Sequence, residues 1–187
     1  MESLSFHIRG VAPLICHNSR LSDPLDEYAK AIAEVTSKRK KTMADHEEIA
    51  HREFIGSFYE NEKDHPIIPS GNIERLFRDA AAKSKMGKQV QAGMIVPEDA
   101  LIGYPGPKTR EALWKGGKHA LRASAKVGQQ RVMRTRPCFR DWELEFAVFF
   151  DETILNPSAV RDFLELAGKI IGIGDWRPKH GRFEVVK

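Results

Sequence analysis

Two stretches of the chain alternate between apolar and polar or small residues. The first covers residues 4–14, where the alternation runs until Gly10 and Pro13 interrupt it. The second covers residues 142–150, where apolar side chains occupy every second position. Because successive strand residues point to opposite sides of a sheet, both stretches predict strands with one buried face. We expect the second to be a central strand.

Four other stretches repeat apolar residues at the three- and four-residue spacing of a helix with one buried face. They are residues 24–35 after a capping Asp23, residues 43–59, residues 73–85 after a Pro-Ser-Gly-Asn turn, and residues 157–171 after a capping Asn156. In the last stretch the predicted buried face includes Ile170 and Ile171. The helix at residues 73–85 begins with backbone N–H groups that could receive an anion, but a capped helix that packs on a sheet is the favoured interpretation.

Short strands are predicted at residues 94–96, 100–102 and 183–185. When residues 18–64 are set aside as a helical insertion, the remaining order is strand, helix, short strands, strand, helix and strand. That order predicts an α+β fold: a ferredoxin-like or RRM-like core with a helical insertion after the first strand and a basic β-hairpin. We expect residues 1–187 to form a single domain.

The amino-acid composition indicates a soluble protein with an apolar core. Apolar residues make up 41% of the sequence and charged residues 30%, and the mean hydropathy is −0.44. The sequence contains no apolar run long enough to cross a bilayer, and its first residues lack a signal-peptide pattern, so we expect a cytoplasmic protein without a membrane partner. Cys16 and Cys138 are too few for a disulfide framework and have no C-x-x-C spacing, which predicts two reduced, partly buried thiols.

The formal net charge is only +4, but the cations are unevenly distributed. Residues 115–140 contain no acidic residue and eight lysines or arginines. Residues 121–127 and 131–136 are expected to form a hairpin that turns at residues 128–130, with its arginines projecting outward. Nucleic acid is the favoured partner of such a span, although a solvated surface or a face for an acidic protein would show the same pattern.

A glycine-rich stretch separates the last predicted helix from the last predicted strand. Gly168, Gly172, Gly174 and Gly181 lie in or beside a segment that also carries one tryptophan and several cations. A flexible backbone, an exposed aromatic ring and cations suit a polyanion with stackable bases. The tryptophan, Trp176, could instead pack beneath the sheet.

Three features together resemble the RAMP superfamily: the first strand, the turn-capped helix with the sequence Ile67-Ile-Pro-Ser-Gly-Asn-Ile-Glu-Arg-Leu-Phe-Arg78, and the glycine-rich loop. More narrowly, the chain is similar to the backbone subunits of CRISPR effector complexes, which coat guide RNA, and to stand-alone relatives carried by phages. The resemblance implies that residues 172–182 follow a nucleic-acid backbone, that the hairpin projects like a thumb, and that the insertion forms a helical lobe.

Enzymatic chemistry has weaker support in the sequence. His46 and His51 lie five residues apart, so they do not share a helix face as zinc-protease histidines do, and we expect no metal. The glycines do not form a P-loop or a dinucleotide fingerprint, and we expect no cofactor. His7, His17 and His180 are candidates for acid–base chemistry on RNA. Of these, His180 lies among loop cations but could equally stack or contact phosphate.

The sequence therefore predicts a non-enzymatic protein that binds single-stranded RNA or DNA through backbone contacts. The predicted contact residues are Lys126, Arg131, Arg134, Arg136, Trp176, Arg177, Lys179, His180 and Arg182. Assembly into a homo-oligomer or head-to-tail filament is expected along such a strand. The alternatives are a metal-independent endoribonuclease and a phage-borne mimic that enters a host CRISPR complex, in which case the subunits of that complex are partners and the site of action is the host cytoplasm.

Overall fold

A computed structural model describes residues 1–186. The strands are β1 (Glu2–Gly10), β2 (Leu14–Ile15), β3 (Ile67–Ile68), β4 (Met94–Ile95), β5 (Ala100–Gly103), β6 (Ala120–Val127), β7 (Gln130–Phe139), β8 (Glu143–Phe150) and β9 (Phe183–Val185). The helices are α1 (Glu27–Thr36), α2 (Met43–Gly56), α3 (Ser70–Ala81), α4 (Gly87–Gly93), α5 (Arg110–Gly116) and α6 (Pro157–Leu166). The chain is a mixed α+β protein with antiparallel sheets, as its sequence predicts.

The chain divides into two compact units. The first unit contains Met1–Ile15, Glu60–Pro105 and the chain from Phe139 onward, and the second contains Cys16–Tyr59 and Gly106–Cys138. The predicted insertion at residues 18–64 and the predicted basic region at residues 115–140 therefore lie largely in the same unit.

The first unit is built on an antiparallel sheet with the order β3-β5-β8-β1-β9, and β4 extends it by pairing with β8. β8 lies between β5 and β1, which confirms the predicted central strand. One face of the sheet is covered by α3 and α6. The rings of Phe6, Phe77 and Phe146 meet there with centroids 5.9–6.4 Å apart. This apolar layer holds the two helices on the sheet.

The last α-helix ends earlier than its apolar pattern predicts. Asn156 caps α6 by accepting a hydrogen bond from the Ala159 N–H, and Pro157 begins the helix, as the sequence predicts. After Leu166 the backbone continues as a π-helical turn over Ala167–Ile171. Because a π turn takes more residues per turn than an α-helix, the side chains shift out of register, and Ile170 is 44% exposed. The prediction that Ile170 lies on the buried face is wrong.

The second unit contains α1, α2, α5 and the hairpin of β6 and β7. Asp26, and not the predicted Asp23, caps α1 by accepting from the Tyr28 and Ala29 N–H groups. Thr42 and Asp45 form a capping box at the start of α2. Within this unit the Phe54 ring of α2 lies 5.3 Å from the Trp114 ring of α5. Both predicted cysteines are buried thiols. No helix in residues 1–186 is long and apolar enough to span a bilayer.

Candidate nucleic-acid interface

The C-terminal loop, residues 172–182, closes on itself in the first unit. The Ile173 N–H donates to the Gly181 carbonyl at 2.9 Å. The loop is also bonded to the segment after β1, because the Gly181 N–H donates to the Pro13 carbonyl at 2.8 Å and the Asp175 N–H donates to the Ile15 carbonyl at 2.7 Å. Because four backbone groups of the loop take part in these three hydrogen bonds, the loop is held rigidly, in contrast to the flexible backbone expected from its glycines.

The glycines are required by close backbone contacts. A side chain at Gly181, where φ is +70°, would place its Cβ 1.7 Å from the Ile173 carbonyl oxygen, and one at Gly174 would meet the Ile15 carbonyl oxygen at 2.5 Å. Trp176 also has a left-handed backbone, with φ +54°. Bulky residues rarely adopt that conformation, and such outliers concentrate at functional sites. The loop therefore holds Trp176 in one defined, half-buried position.

Three arginines gather around one carboxylate where the C-terminal loop meets α3. The Asp79 carboxylate lies 3.0 Å from the Arg78 guanidinium, 3.7 Å from that of Arg75 and 3.6 Å from that of Arg177. One negative charge cannot neutralise three guanidinium groups, so the cluster keeps an excess of positive charge. The side chains of Arg75 and Arg78 are 61% and 41% exposed, which leaves both available to a ligand.

Arg75 and Arg78 were missed by the sequence prediction. The signal was present, because the apolar stripe of α3 buries Ile73, Leu76 and Phe77 and leaves the arginines on the other side of the helix. Their spacing of three residues also places them next to each other. What the sequence did not reveal is that Arg177, about a hundred positions away, joins them at Asp79.

The cationic surface continues along the C-terminal loop. Lys179 is exposed, and the Arg182 Nε donates to the Pro178 carbonyl at 2.8 Å, which fixes that guanidinium beside the loop. We define the α3–loop surface as Arg75, Arg78, Arg177, Lys179 and Arg182. A set of guanidinium and ammonium groups on a rigid loop and a helix is suited to the phosphates of a nucleic-acid backbone.

His180 is held in the loop by its surroundings. Its ring centroid is 6.1 Å from that of Trp176, and its Nδ1 is buried with no hydrogen-bond partner among the described residues. Burial lowers the pKa of His180 below its usual value, and the nearby Lys179 lowers it further, while Asp175 opposes the shift. Neutral imidazole is therefore favoured at neutral pH, and its buried Nδ1 cannot contact a bound strand.

This shift predicts a pH dependence of stability. Because the folded-state pKa of His180 is lowered, the unfolded chain binds more protons below about pH 6.5, and stability falls as the pH drops from there through the folded-state pKa. Urea unfolding at pH 7.5 and pH 5.5 should show a smaller loss of free energy in His180→Gln than in the unsubstituted protein. His46→Gln, at an exposed histidine, is the control and should leave the loss unchanged.

The start of α3 is not an open anion site. The Ser70 N–H donates to the Asp99 carboxylate at 2.8 Å, and Pro69 makes no side-chain cap. A carboxylate from the loop before β5 thus occupies the position that an anion would take. The prediction that an anion could bind at this helix start is not supported by this arrangement.

One end of the sheet face opposite α3 and α6 is acidic. It carries Glu143 and Glu145 on β8 and Glu184 on β9, with Arg9 and His7 of β1 among them, and His7 Nε2 lies 3.0 Å from the Glu143 carboxylate. Because carboxylates repel phosphates, the α3–loop surface is better suited to phosphates than this end of the open sheet.

The basic hairpin in the second unit forms as predicted, with Lys126 opposite Arg131 near its exposed tip. Arg134 instead forms an ion pair with Glu53 of α2 at 2.6 Å. Arg136 is buried, with 7% of its surface exposed. The expectation that the arginines project outward is wrong for Arg136, because β7 enters the packed interior from Thr135 onward. Residues 115–140 lack acids, but the fold supplies one from α2.

The nine predicted contact residues thus fall into two groups. Trp176, Arg177, Lys179, His180 and Arg182 come together on the C-terminal loop of the first unit, and Lys126, Arg131, Arg134 and Arg136 belong to the hairpin of the second. Within residues 1–186 there is no group of three histidine, cysteine or carboxylate side chains placed to hold a metal ion.

No protein-family model matches this sequence, and a search of curated proteins finds none with significant similarity.

Proposed function

We propose that this protein binds single-stranded nucleic acid, without enzymatic activity, through the phosphate backbone. The observation that carries the proposal is the α3–loop surface, where three arginines surround one carboxylate, Asp79, and Lys179 and Arg182 add two further cations on the C-terminal loop. Backbone contacts of this kind bind strands with little dependence on base sequence.

The second unit carries an exposed cationic tip of its own, which we propose as a further contact for nucleic acid. Lys126 and Arg131 are neighbours across the hairpin, and Arg122 is exposed on the same strand as Lys126. Arg134 contributes less because Glu53 already compensates its charge. Trp176 on the C-terminal loop offers an aromatic ring for stacking on a base.

We also propose that the first unit is a ferredoxin-like core of the RAMP type. Support comes from the order β1, α3, β5, β8, α6 and β9 along the chain, with β9 beside β1 in the sheet. The C-terminal loop lies between the last helix and the last strand, which is the position that the resemblance to CRISPR backbone subunits implies. The proposal extends to a cytoplasmic protein that forms homo-oligomers or filaments along a strand, with CRISPR complex subunits as further candidate partners.

The proposal predicts strong salt dependence. We expect the five cations of the α3–loop surface to neutralise about four phosphates, and each neutralised phosphate contributes about 0.7 to the salt slope of single-strand binding. Raising KCl from about 50 to about 200 mM should therefore raise the Kd roughly fiftyfold. Fluorescence anisotropy with labelled oligouridine and oligothymidine measures this for RNA and DNA. A Kd that does not change with salt would remove the basis of the proposal.

Charge-removing variants locate the interface. Arg75→Gln with Arg78→Gln removes the excess charge around Asp79, and the Kd should rise about tenfold while the salt slope falls by about 1.5. Arg9→Gln removes an exposed arginine from the open sheet face and is the control for loss of a single charge elsewhere in the first unit. A greater loss of affinity in Arg9→Gln would move the interface to the open sheet.

Incubation of labelled RNA with the protein in EDTA separates a binder from a metal-independent nuclease. RNA that stays intact supports the binder, and RNA that is cleaved supports the nuclease.

A further inference from the structure

The second unit contains a groove that its own side chains do not fill. It has a volume of about 540 Å³ and lies between the helices α1 and α2 and the hairpin. Its walls include Met43 and Ile49 from the α2 side and Val132 and Met133 from β7. Pockets that bind small ligands have volumes of about 300–1,000 Å³, so this groove is large enough for one nucleotide.

Two methionines line the groove while remaining largely exposed to solvent. Met43 is 76% exposed and Met133 is 49% exposed. Single exposed apolar residues are common, but here two come from different elements and border the same groove. Methionine side chains adapt their shape and make favourable sulfur contacts with aromatic rings. The walls are therefore suited to a flat aromatic group.

The rim of the groove is cationic. Lys41 and Arg122 both line it and are exposed, Lys41 just before α2 and Arg122 on β6. Its one carboxylate, Glu53, is buried and already accepts hydrogen bonds from Arg134 and the Thr135 N–H. A ligand in this groove thus meets apolar walls and positive charge that no carboxylate among residues 1–186 neutralises: the Lys41 ammonium donates to the Lys38 carbonyl at 2.9 Å. This combination fits an aromatic ring attached to phosphates.

We propose that this groove holds one unstacked nucleobase of the bound strand, with Lys41 and Arg122 on the flanking phosphates. The inference rests on the proposed strand binding and adds to it a site that recognises a base. An acidic amphipathic helix is the competing occupant, but a groove of this volume is closer to one nucleotide than to several turns of helix.

Methyl spectra of the intact protein test the proposal directly. The chain has five methionines, so labelling their methyl groups with carbon-13 gives few resonances. The methyl resonances of Met43 and Met133 should move upfield when oligouridine is added, because the ring of a bound base shields them. They should not move with an abasic strand of the same length, which carries the same phosphates. Met1 and Met86, in the first unit, are internal controls.

Binding measurements give a second test. The unsubstituted protein should bind oligouridine about fivefold or more tightly than the abasic strand, since sulfur–aromatic contacts are individually modest but two are available. Met43→Gln with Met133→Gln, which keeps side-chain length and charge, should remove this preference and leave abasic binding unchanged. Val127→Gln, at an exposed apolar residue near the hairpin tip, is the matched control and should retain the preference.

The outcomes are distinguishable. If both strands bind equally and the two methionine resonances do not move, the base site is wrong while strand binding stands. If neither strand binds, the proposed function and the base site both fall. If an acidic amphipathic peptide shifts Met43 and Met133 and oligouridine does not, the groove belongs to a protein partner and the base site is overturned.

Discussion

Gly181→Ala is expected to destabilise the folded protein by about 3 kcal/mol, because a left-handed backbone penalises a side chain and the loop bonds at this position are lost. The new Cβ would lie 1.7 Å from the Ile173 carbonyl oxygen, so the two ends of the C-terminal loop must separate. Separation breaks the bond from the Ile173 N–H to Gly181 and the bond from the Gly181 N–H to Pro13. Thermal unfolding followed by circular dichroism measures the loss.

The same substitution should weaken strand binding even where the protein stays folded. Lys179 and Arg182 flank Gly181 on the C-terminal loop, and their positions depend on its closure. Gly71→Ala is the matched control, since an added Cβ in this helical position of α3 meets no atom within 4 Å. It should be neutral or stabilise by up to about 1 kcal/mol. Equal melting temperatures for the two variants would show that the loop is not rigid.

Glu53→Ala is expected to reduce the free energy of unfolding by about 3–5 kcal/mol, the range found when one partner of a buried ion pair is removed. Glu53 is 4% exposed, and its two carboxylate oxygens accept from the Arg134 guanidinium at 2.6 Å and from the Thr135 N–H at 2.8 Å. Thr135 is itself buried, so its N–H would be left without this acceptor. Urea denaturation measures the change.

Two variants on the same helix separate this effect from a general loss of charge. Glu48→Ala removes a partly exposed glutamate of α2 that pairs with Arg52 four residues later, and it should cost about 0.5 kcal/mol. Glu53→Gln keeps an acceptor and should cost less than Glu53→Ala. If Glu53→Ala costs no more than Glu48→Ala, the bond between α2 and the hairpin does not stabilise the second unit.

Glu53 also changes the interpretation of the basic region. Residues 115–140 contain no acid, and the sequence predicts that Arg131, Arg134 and Arg136 project outward from the hairpin as contacts for a ligand. The hairpin instead uses Arg134 to bind α2 and buries Arg136, so its free charge is concentrated at Arg122, Lys126 and Arg131. Part of the positive charge of residues 115–140 therefore contributes to the packing of the second unit and is not exposed to a ligand.

Much of the fold could be predicted from local patterns. The alternation in β8 identified a central strand, Asn156 and Pro157 identified the start of α6, and the span of like charges with a Gly-Gln-Gln turn identified the hairpin. Each of these depends on neighbours in the sequence, because side-chain direction repeats every two residues in a strand and capping acts within one turn. The α+β class follows from the order of such elements.

The sequence alone determined the types and order of these elements and the positions of the cations, since periodicity, capping and charge are local properties. Only the tertiary structure decided which cations act together. Asp79 brings Arg177 together with Arg75 and Arg78, about a hundred residues away in the sequence. Glu53 forms an ion pair with Arg134, so the charge of Arg134 is compensated within the fold. The glycines of the C-terminal loop are required because the backbone there packs against other backbone atoms. Pairing and burial between distant segments have no local signature, because they depend on how the packed elements meet.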